Sequence, residues 1–139
     1  MYAAFHGSLD RASFYLQRGA RVNKPCKEGG TALIWAAQSG HVDLGIVLLD
    51  HGASVNQTTI DSHTTALMVA CEFGHLDMVR LLINRGSNAN AATVEGVTSL
   101  MLASQWRHLG VERFLVEEGK ADVDACTNTG EVAKLTPWL

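Results

Sequence analysis

Gly40-His41-Val42-Asp43 and Gly74-His75-Leu76-Asp77 are the same four-residue phrase, Gly-His-x-Asp, set 34 positions apart. What surrounds it recurs in step. Thr31-Ala32-Leu33 returns as Thr65-Ala66-Leu67 and again as Thr98-Ser99-Leu100. Gly19-Ala20-Arg21-Val22-Asn23 returns as Gly52-Ala53-Ser54-Val55-Asn56 and as Gly86-Ser87-Asn88-Ala89-Asn90. A chain that repeats at 33–34 residues is an array of small stacked units, each too small to bury its apolar face alone. The registers divide residues 1–139 of a single domain into a partial copy at about 1–25, copies at 26–59, 60–92 and 93–126, and a partial closing copy at 127–139.

Each unit reads as helix, turn, helix, extended loop, an all-α solenoid. The first apolar stretch, Leu33 to Ala37, is short and runs into a glycine. The second, Val42 to Leu49, carries Leu44, Val47 and Leu48 at the i, i+3, i+4 spacing of one helical face. Thr31, Thr65 and Thr98 stand where a hydroxyl caps the first helix. Gly40 and Gly74 after the first helix, and Gly52, Gly86 and Gly119 after the second, are expected in the left-handed conformation that costs least without a Cβ. The small pairs Ala3-Ala4, Ala36-Ala37, Ala70-Cys71 and Ala103-Ser104 mark where neighbouring helices approach. Leu49, Leu82 and Leu115 are expected in equivalent environments, and Trp35, whose slot holds Tyr2, Val69 and Leu102 elsewhere, in the core between units.

These residues resemble the ankyrin-repeat family over essentially the whole chain. The family's run is Gly-x-Thr-Pro-Leu-His-x-Ala-Ala, then Gly-His, paired leucines and Gly-Ala-Asp-Val-Asn. Its counterparts are Gly29-Gly30-Thr31-Ala32-Leu33-Ile34-Trp35-Ala36-Ala37, Gly40-His41, Leu48-Leu49 and Gly52-Ala53-Ser54-Val55-Asn56. The resemblance implies a non-catalytic module that binds a protein or an extended peptide in a concave groove. It also implies that Asn56 and Asn90, each with a leucine eight residues before it (Leu48, Leu82), are candidates for hydroxylation by an intracellular oxygenase. The alternative is a structural or regulatory segment of a larger enzyme, channel or adaptor, which the ragged start favours. Trp138-Leu139 closing the last face would suit a short natural protein instead.

The departures from the pattern carry information too. Pro and His of the Thr-Pro-Leu-His element are missing from every copy, replaced by Ala32 and Ile34, Ala66 and Met68, Ser99 and Met101. The Thr–His hydrogen bond of that element is lost, and a less stable stack is expected. Gly45 lies inside a second helix, where glycine costs about 1 kcal/mol against alanine. Arg107 takes the slot of Gly40 and Gly74, at roughly 1–2 kcal/mol for a left-handed side chain. His63 replaces the hairpin glycine of Gly29, Gly96 and Gly130, and Lys120 is an extra residue after Gly119. The fourth copy is therefore expected to be the most distorted and mobile.

Composition narrows the function. A net charge of −3 leaves no basic excess for nucleic acid, and no apolar run reaches membrane-spanning length. Arg11, Arg18, Arg21, Lys24 and Lys27 outnumber the acids before residue 45, whereas acids dominate beyond residue 95, a gradient able to orient a partner. Cys26, Cys71 and Cys126 are odd in number and widely spaced, which points to a reducing cytoplasmic or nuclear compartment without disulfides. Cys71 reads as buried and inert; Cys26 and Cys126 read as equivalent hairpin positions. Asn56-Gln57-Thr58 matches a glycosylation sequon, but an asparagine that repeats as Asn23 and Asn90 more plausibly bonds loop backbone. His41, His75 and His108 share one slot, so stacking holds neighbours about 10 Å apart, too far to share a zinc ion with bonds of about 2.0–2.3 Å. No nucleotide loop or nucleophile motif is present. A monomer with no cofactor, metal site or catalytic residue is expected.

Recognition must then use positions that the repeat does not need. The slots before the Gly-His turn, facing the concave groove by resemblance, hold Phe5-His6, Gln38-Ser39, Glu72-Phe73 and Gln105-Trp106. Hairpin tips add Lys27, Glu28 and Gly30, then Asp61, Ser62 and Thr64, then Val94, Glu95 and Val97. Phe73 and Trp106 fill the same slot in consecutive copies, so their rings are expected about 10 Å apart, an aromatic pair suited to an interface.

Overall fold

A computed structural model describes residues 8–134. Its helices are α1 (Leu9–Gln17), α2 (Ala32–Ser39), α3 (Val42–Asp50), α4 (Ala66–Glu72), α5 (Leu76–Asn84), α6 (Ser99–Gln105) and α7 (Leu109–Glu117). Helices α2, α4 and α6 stack in one layer and α1, α3, α5 and α7 in a second. Among the described residues the only β pairing is two isolated antiparallel bridges, Ala92–Thr98 and Cys126–Val132. The fold is an all-α repeat array.

Each first helix starts on its threonine. Thr31, Thr65 and Thr98 accept the backbone N–H of Ile34, Met68 and Met101 at 3.4, 3.3 and 3.4 Å. The methionines return the favour: Met68 Sδ accepts from Thr65 N–H and Met101 Sδ from Thr98 N–H, each at 3.5 Å. A thioether is a weak acceptor, yet it closes a capping box that Ile34 cannot close. The family's missing histidine is thus partly replaced in two copies.

The turn into each second helix couples one copy to the next. Gly40 and Gly74 hold φ of 71° and 73°. A Cβ on Gly40 would lie 2.7 Å from the ring of His75, and one on Gly74 would lie 2.5 Å from the ring of His108. Those histidines reach back across the stack, with His75 Nε2–H donating to the Gln38 carbonyl at 3.0 Å and His108 Nε2–H to the Glu72 carbonyl at 2.9 Å. Glycine is needed at these turns for its conformation and for room. Arg107 adopts φ 58° in the same slot, and no described histidine stands over it.

The core runs through both layers. Leu33, Leu67 and Leu100 are buried in the first layer, and so are the small pairs Ala36-Ala37, Ala70-Cys71 and Ala103-Ser104; Ala3-Ala4 lie outside the described residues. In the second layer the fully inward positions are Leu44, Met78 and Val111, then Leu48, Leu82 and Leu115. This corrects the expected equivalence of Leu49 with Leu82 and Leu115. Leu48, Leu82 and Leu115 are 3%, 0% and 0% exposed, whereas Leu49 is only partly buried, like Ile83 and Val116. The paired leucines hid a one-residue slip. Gly45 is buried because Met78 and Leu81 fill the space its side chain would take, 3.1–3.3 Å from a built Cβ. Glu112, in the slot of Gly45 and Val79, is fully buried too.

The loops are stitched by the recurring asparagine. Asn23 donates from Nδ2 to the Gly52 carbonyl at 3.0 Å and accepts Ser54 N–H at 2.7 Å. Asn56 does the same with Gly86 and Asn88 at 3.2 and 2.9 Å, and Asn90 with Lys120 and Asp122 at 3.4 and 2.7 Å. That ladder corrects a second expectation. Gly52 and Gly86 hold φ of 88° and 91°, but in the fourth copy Lys120, at 57°, takes this place and Gly119 does not. The extra residue is Gly119, pressed against the α7 backbone, where a built Cβ would lie 2.9 Å from the Leu115 carbonyl oxygen.

Candidate functional site

The hairpin tips are built alike. Thr59, Thr93 and Thr127 each accept a backbone N–H across their tip, from Thr64, Val97 and Glu131 at 3.0, 3.1 and 3.1 Å. Cys26 fills the corresponding slot in the first tip, where its N–H bonds the Gly30 carbonyl at 3.0 Å as Thr93 N–H bonds that of Val97 at 2.9 Å. Cys26 is therefore equivalent to Thr127, and its expected equivalence with Cys126 is off by one residue. His63 bends the second tip at φ 56°, the glycine conformation of Gly29, Gly96 and Gly130 at 83–84°.

Neighbouring tips are tied together. Val94 N–H donates to the Ser62 carbonyl at 3.1 Å; Asn128 donates from its backbone to Glu95 at 3.0 Å and from Nδ2 to Val94 at 2.9 Å. At the other end Gly29 abuts the second tip so closely that a Cβ would meet Ile60 N at 2.5 Å. The tips form a continuous edge rather than separate loops.

Between the first two tips and α2 lies an open cavity of about 260 Å³. Glu28, Gln38, Asp61 and Ser62, four of the residues singled out for partner binding, line it together. So do Trp35, Ile34, Thr59, Gly30 and Thr64. Trp35 is the correction here. The indole packs partly against the core, as expected of its slot, but it is only half-buried and forms a wall of the cavity. Of its slot-mates, Val69 is buried and Leu102 half-buried, so the slot lies at the margin of the core.

The other candidates lie elsewhere on the surface. Lys27, Val94, Glu95 and Gln105 are exposed, and Ser39 and Glu72 are half-buried; Phe5 and His6 lie outside the described residues. Phe73 and Trp106 are the C-caps of α4 and α6, 49% and 54% exposed. Phe73 lies parallel to the His75 ring, at 9° with centroids 6.4 Å apart. One face of Phe73 thus covers the turn while much of the ring meets solvent. Asn56 and Asn90 are exposed and held at both ends of their amides.

Cys71 is buried in α4, and burial pushes its thiol from an ordinary value of 9.0 up to about 12, with a small opposing effect from Ser99. The thiolate is the nucleophile, so this sulfur is unreactive near neutral pH, as its place among the packing alanines implied. His75 and His108 have their Nε2 atoms occupied by carbonyls of the preceding copy. Among the described residues no helix is long and apolar enough to cross a membrane.

Comparison of the sequence with known proteins points to one family. The sequence model of a family described as ankyrin repeats (3 copies) covers residues 1–59 and 57–127. Ankyrin repeat and KH domain-containing protein CBG24701 of Caenorhabditis briggsae is 34% identical over 138 residues, 99% of this chain and 5% of that protein. Ankyrin repeat and KH domain-containing protein 1 of Homo sapiens is 42% identical over 60 residues, 43% of this chain and 2% of that protein. Palmitoyltransferase ZDHHC13 of Homo sapiens is 39% identical over 61 residues, 43% of this chain and 10% of that protein. The chain thus spans a small part of each relative's length.

Proposed function

We propose, from the premise that this chain belongs to the ankyrin-repeat family, that it binds another protein or an extended peptide along its concave side. Ankyrin repeats are in general protein-interaction modules, so the class of function follows from the family. The finer reading rests on one observation: Phe73 and Trp106 stay half-exposed at the ends of α4 and α6 in an array that buries its equivalent leucines. Large aromatic rings on a fixed lattice are what interface hot spots are made of. A stacked array has also met its ordering cost before the partner arrives, which favours affinity. Gln38, Ser39, Glu72 and Gln105 supply a polar rim beside them.

The second reading, a regulatory or structural segment of a larger protein, is supported by the small share of each relative that the chain spans. The two are compatible, because a segment can also be the binding part. Affinity capture from cell extract tests the groove reading, comparing the parent chain with the Phe73→Ala/Trp106→Ala double variant by quantitative mass spectrometry. The groove reading expects proteins retained by the parent to be lost by the variant, while its urea midpoint stays close to the parent's. Equal capture with a large loss of stability contradicts it and leaves these rings as packing.

A further inference from the structure

We propose that the cavity between the first two hairpin tips is a receptor for an arginine side chain of the bound partner. This rests on the groove reading above and names the chemistry of one of its subsites. At about 260 Å³ the cavity falls below the range of about 300–1,000 Å³ that small-molecule and cofactor sites occupy. It suits a single side chain entering from a chain laid along the tips.

The lining selects for positive charge. Glu28 and Asp61 line the cavity from opposite tips, and among the described residues no lysine or arginine lines it. Neither carboxylate belongs to an ion pair among the described residues, where the pairs are Arg85–Asp50 and Arg113–Glu117. Trp35 supplies an indole wall, the best of the aromatic surfaces for holding a cation. A planar guanidinium stacks on such a wall and keeps its donors in the plane for carboxylates. Five donors also match acceptors that are spread out rather than clustered, with Gln38 adding an amide oxygen. Lysine offers a single point charge with no flat face.

The second tip is held in the shape this needs. Thr59 Oγ1, Ser62 Oγ and Thr64 Oγ1 form a chain of hydrogen bonds at 2.9 and 2.7 Å, and Thr64 N–H closes it on Thr59 at 3.0 Å. His63 adopts its positive φ inside that chain. These bonds fix the backbone turn that carries Asp61, across the cavity from the tip that carries Glu28.

The test is an NMR titration of the isotopically labelled full chain with the peptide acetyl-Gly-Ser-Arg-Ser-Gly-amide and with forms carrying citrulline or lysine instead of arginine. A Trp35→Phe variant identifies the Trp35 indole resonance. The arginine peptide is expected to shift the Trp35 indole N–H and the Gly30 and Ser62 amides saturably. Citrulline, which keeps the shape and loses the charge, should bind about tenfold or more weakly, as should the arginine peptide on the Glu28→Gln/Asp61→Asn variant. Both substitutions are on exposed carboxylates, and an otherwise unchanged spectrum shows that the variant folds. Equal binding of arginine and citrulline, lysine binding as tight as arginine, or retained affinity in the double variant overturns the proposal. So does a response confined to Phe73 and Trp106. The groove reading fails separately, through unchanged capture by the Phe73→Ala/Trp106→Ala variant.

Discussion

Arg107 and Lys120 hold φ of 58° and 57° in slots where other copies use glycine. An L side chain there crowds its own backbone, at about 1–2 kcal/mol per residue. Arg107→Gly and Lys120→Gly are therefore each expected to raise stability by about 1 kcal/mol, less whatever glycine costs in the unfolded chain. Urea unfolding of the single variants measures this, and an unchanged or lowered midpoint in both contradicts the assigned strain. Arg107 was legible in the sequence because its neighbours Gln105-Trp106 and His108 keep the register. Lys120 was misjudged because either residue of Gly119-Lys120 can be read as the insertion. Only the Asn90 bond to the Lys120 carbonyl decides between them. The same ambiguity of adjacent similar residues explains Leu48-Leu49, where the buried member had to be seen.

At the scale of elements, the connections prove as regular as the helices. The helix starts and stops were readable from Thr31, Thr65, Thr98 and from Gly40 and Gly74, because each residue type answers one backbone requirement. What could not be read was the partner of each recurring asparagine. A loop-bonding role was evident from the repetition, yet the acceptor and donor belong to the next copy, 29–32 residues on. Asn56→Ala removes both bonds at once and leaves the Gly86 carbonyl and the Asn88 N–H to solvent. A net loss of about 0.5–1.5 kcal/mol per bond makes the expected cost roughly 1–3 kcal/mol. Hydrogen exchange should show faster exchange at the Asn88 amide, with the helical amides of α2 little affected. Unchanged exchange at Asn88 counts against the asparagine as the tie between copies. The cavity was hidden for a related reason. Its members Glu28, Gln38, Asp61 and Ser62 were singled out copy by copy, but their meeting depends on how one tip leans on the next.

Over the whole molecule, identical modules share one core, and the positions released from that task face outward. Fold class was legible because stacking imposes the same demands every 33–34 residues. The binding surface was legible only as a set of unconstrained slots, since nothing in a repeat specifies what its free positions touch. Trp35 shows the limit: its slot lies at the margin of the core, with Val69 buried and Leu102 half-buried in it, and the repeat does not say that its indole joins the cavity wall. The core carries a demand that can be measured at every level of the stack. If the copies are equivalent, the same truncation must cost alike along the array, at about 2–5 kcal/mol for a buried leucine. The most direct measurement is urea unfolding of Leu48→Ala, Leu82→Ala, Leu115→Ala and Leu49→Ala under one set of conditions. The first three are expected to lose comparable stability in that range and Leu49→Ala distinctly less. A large loss at Leu49 beside a small one at Leu48, or a single leucine dominating the series, would contradict the shared core on which everything else rests.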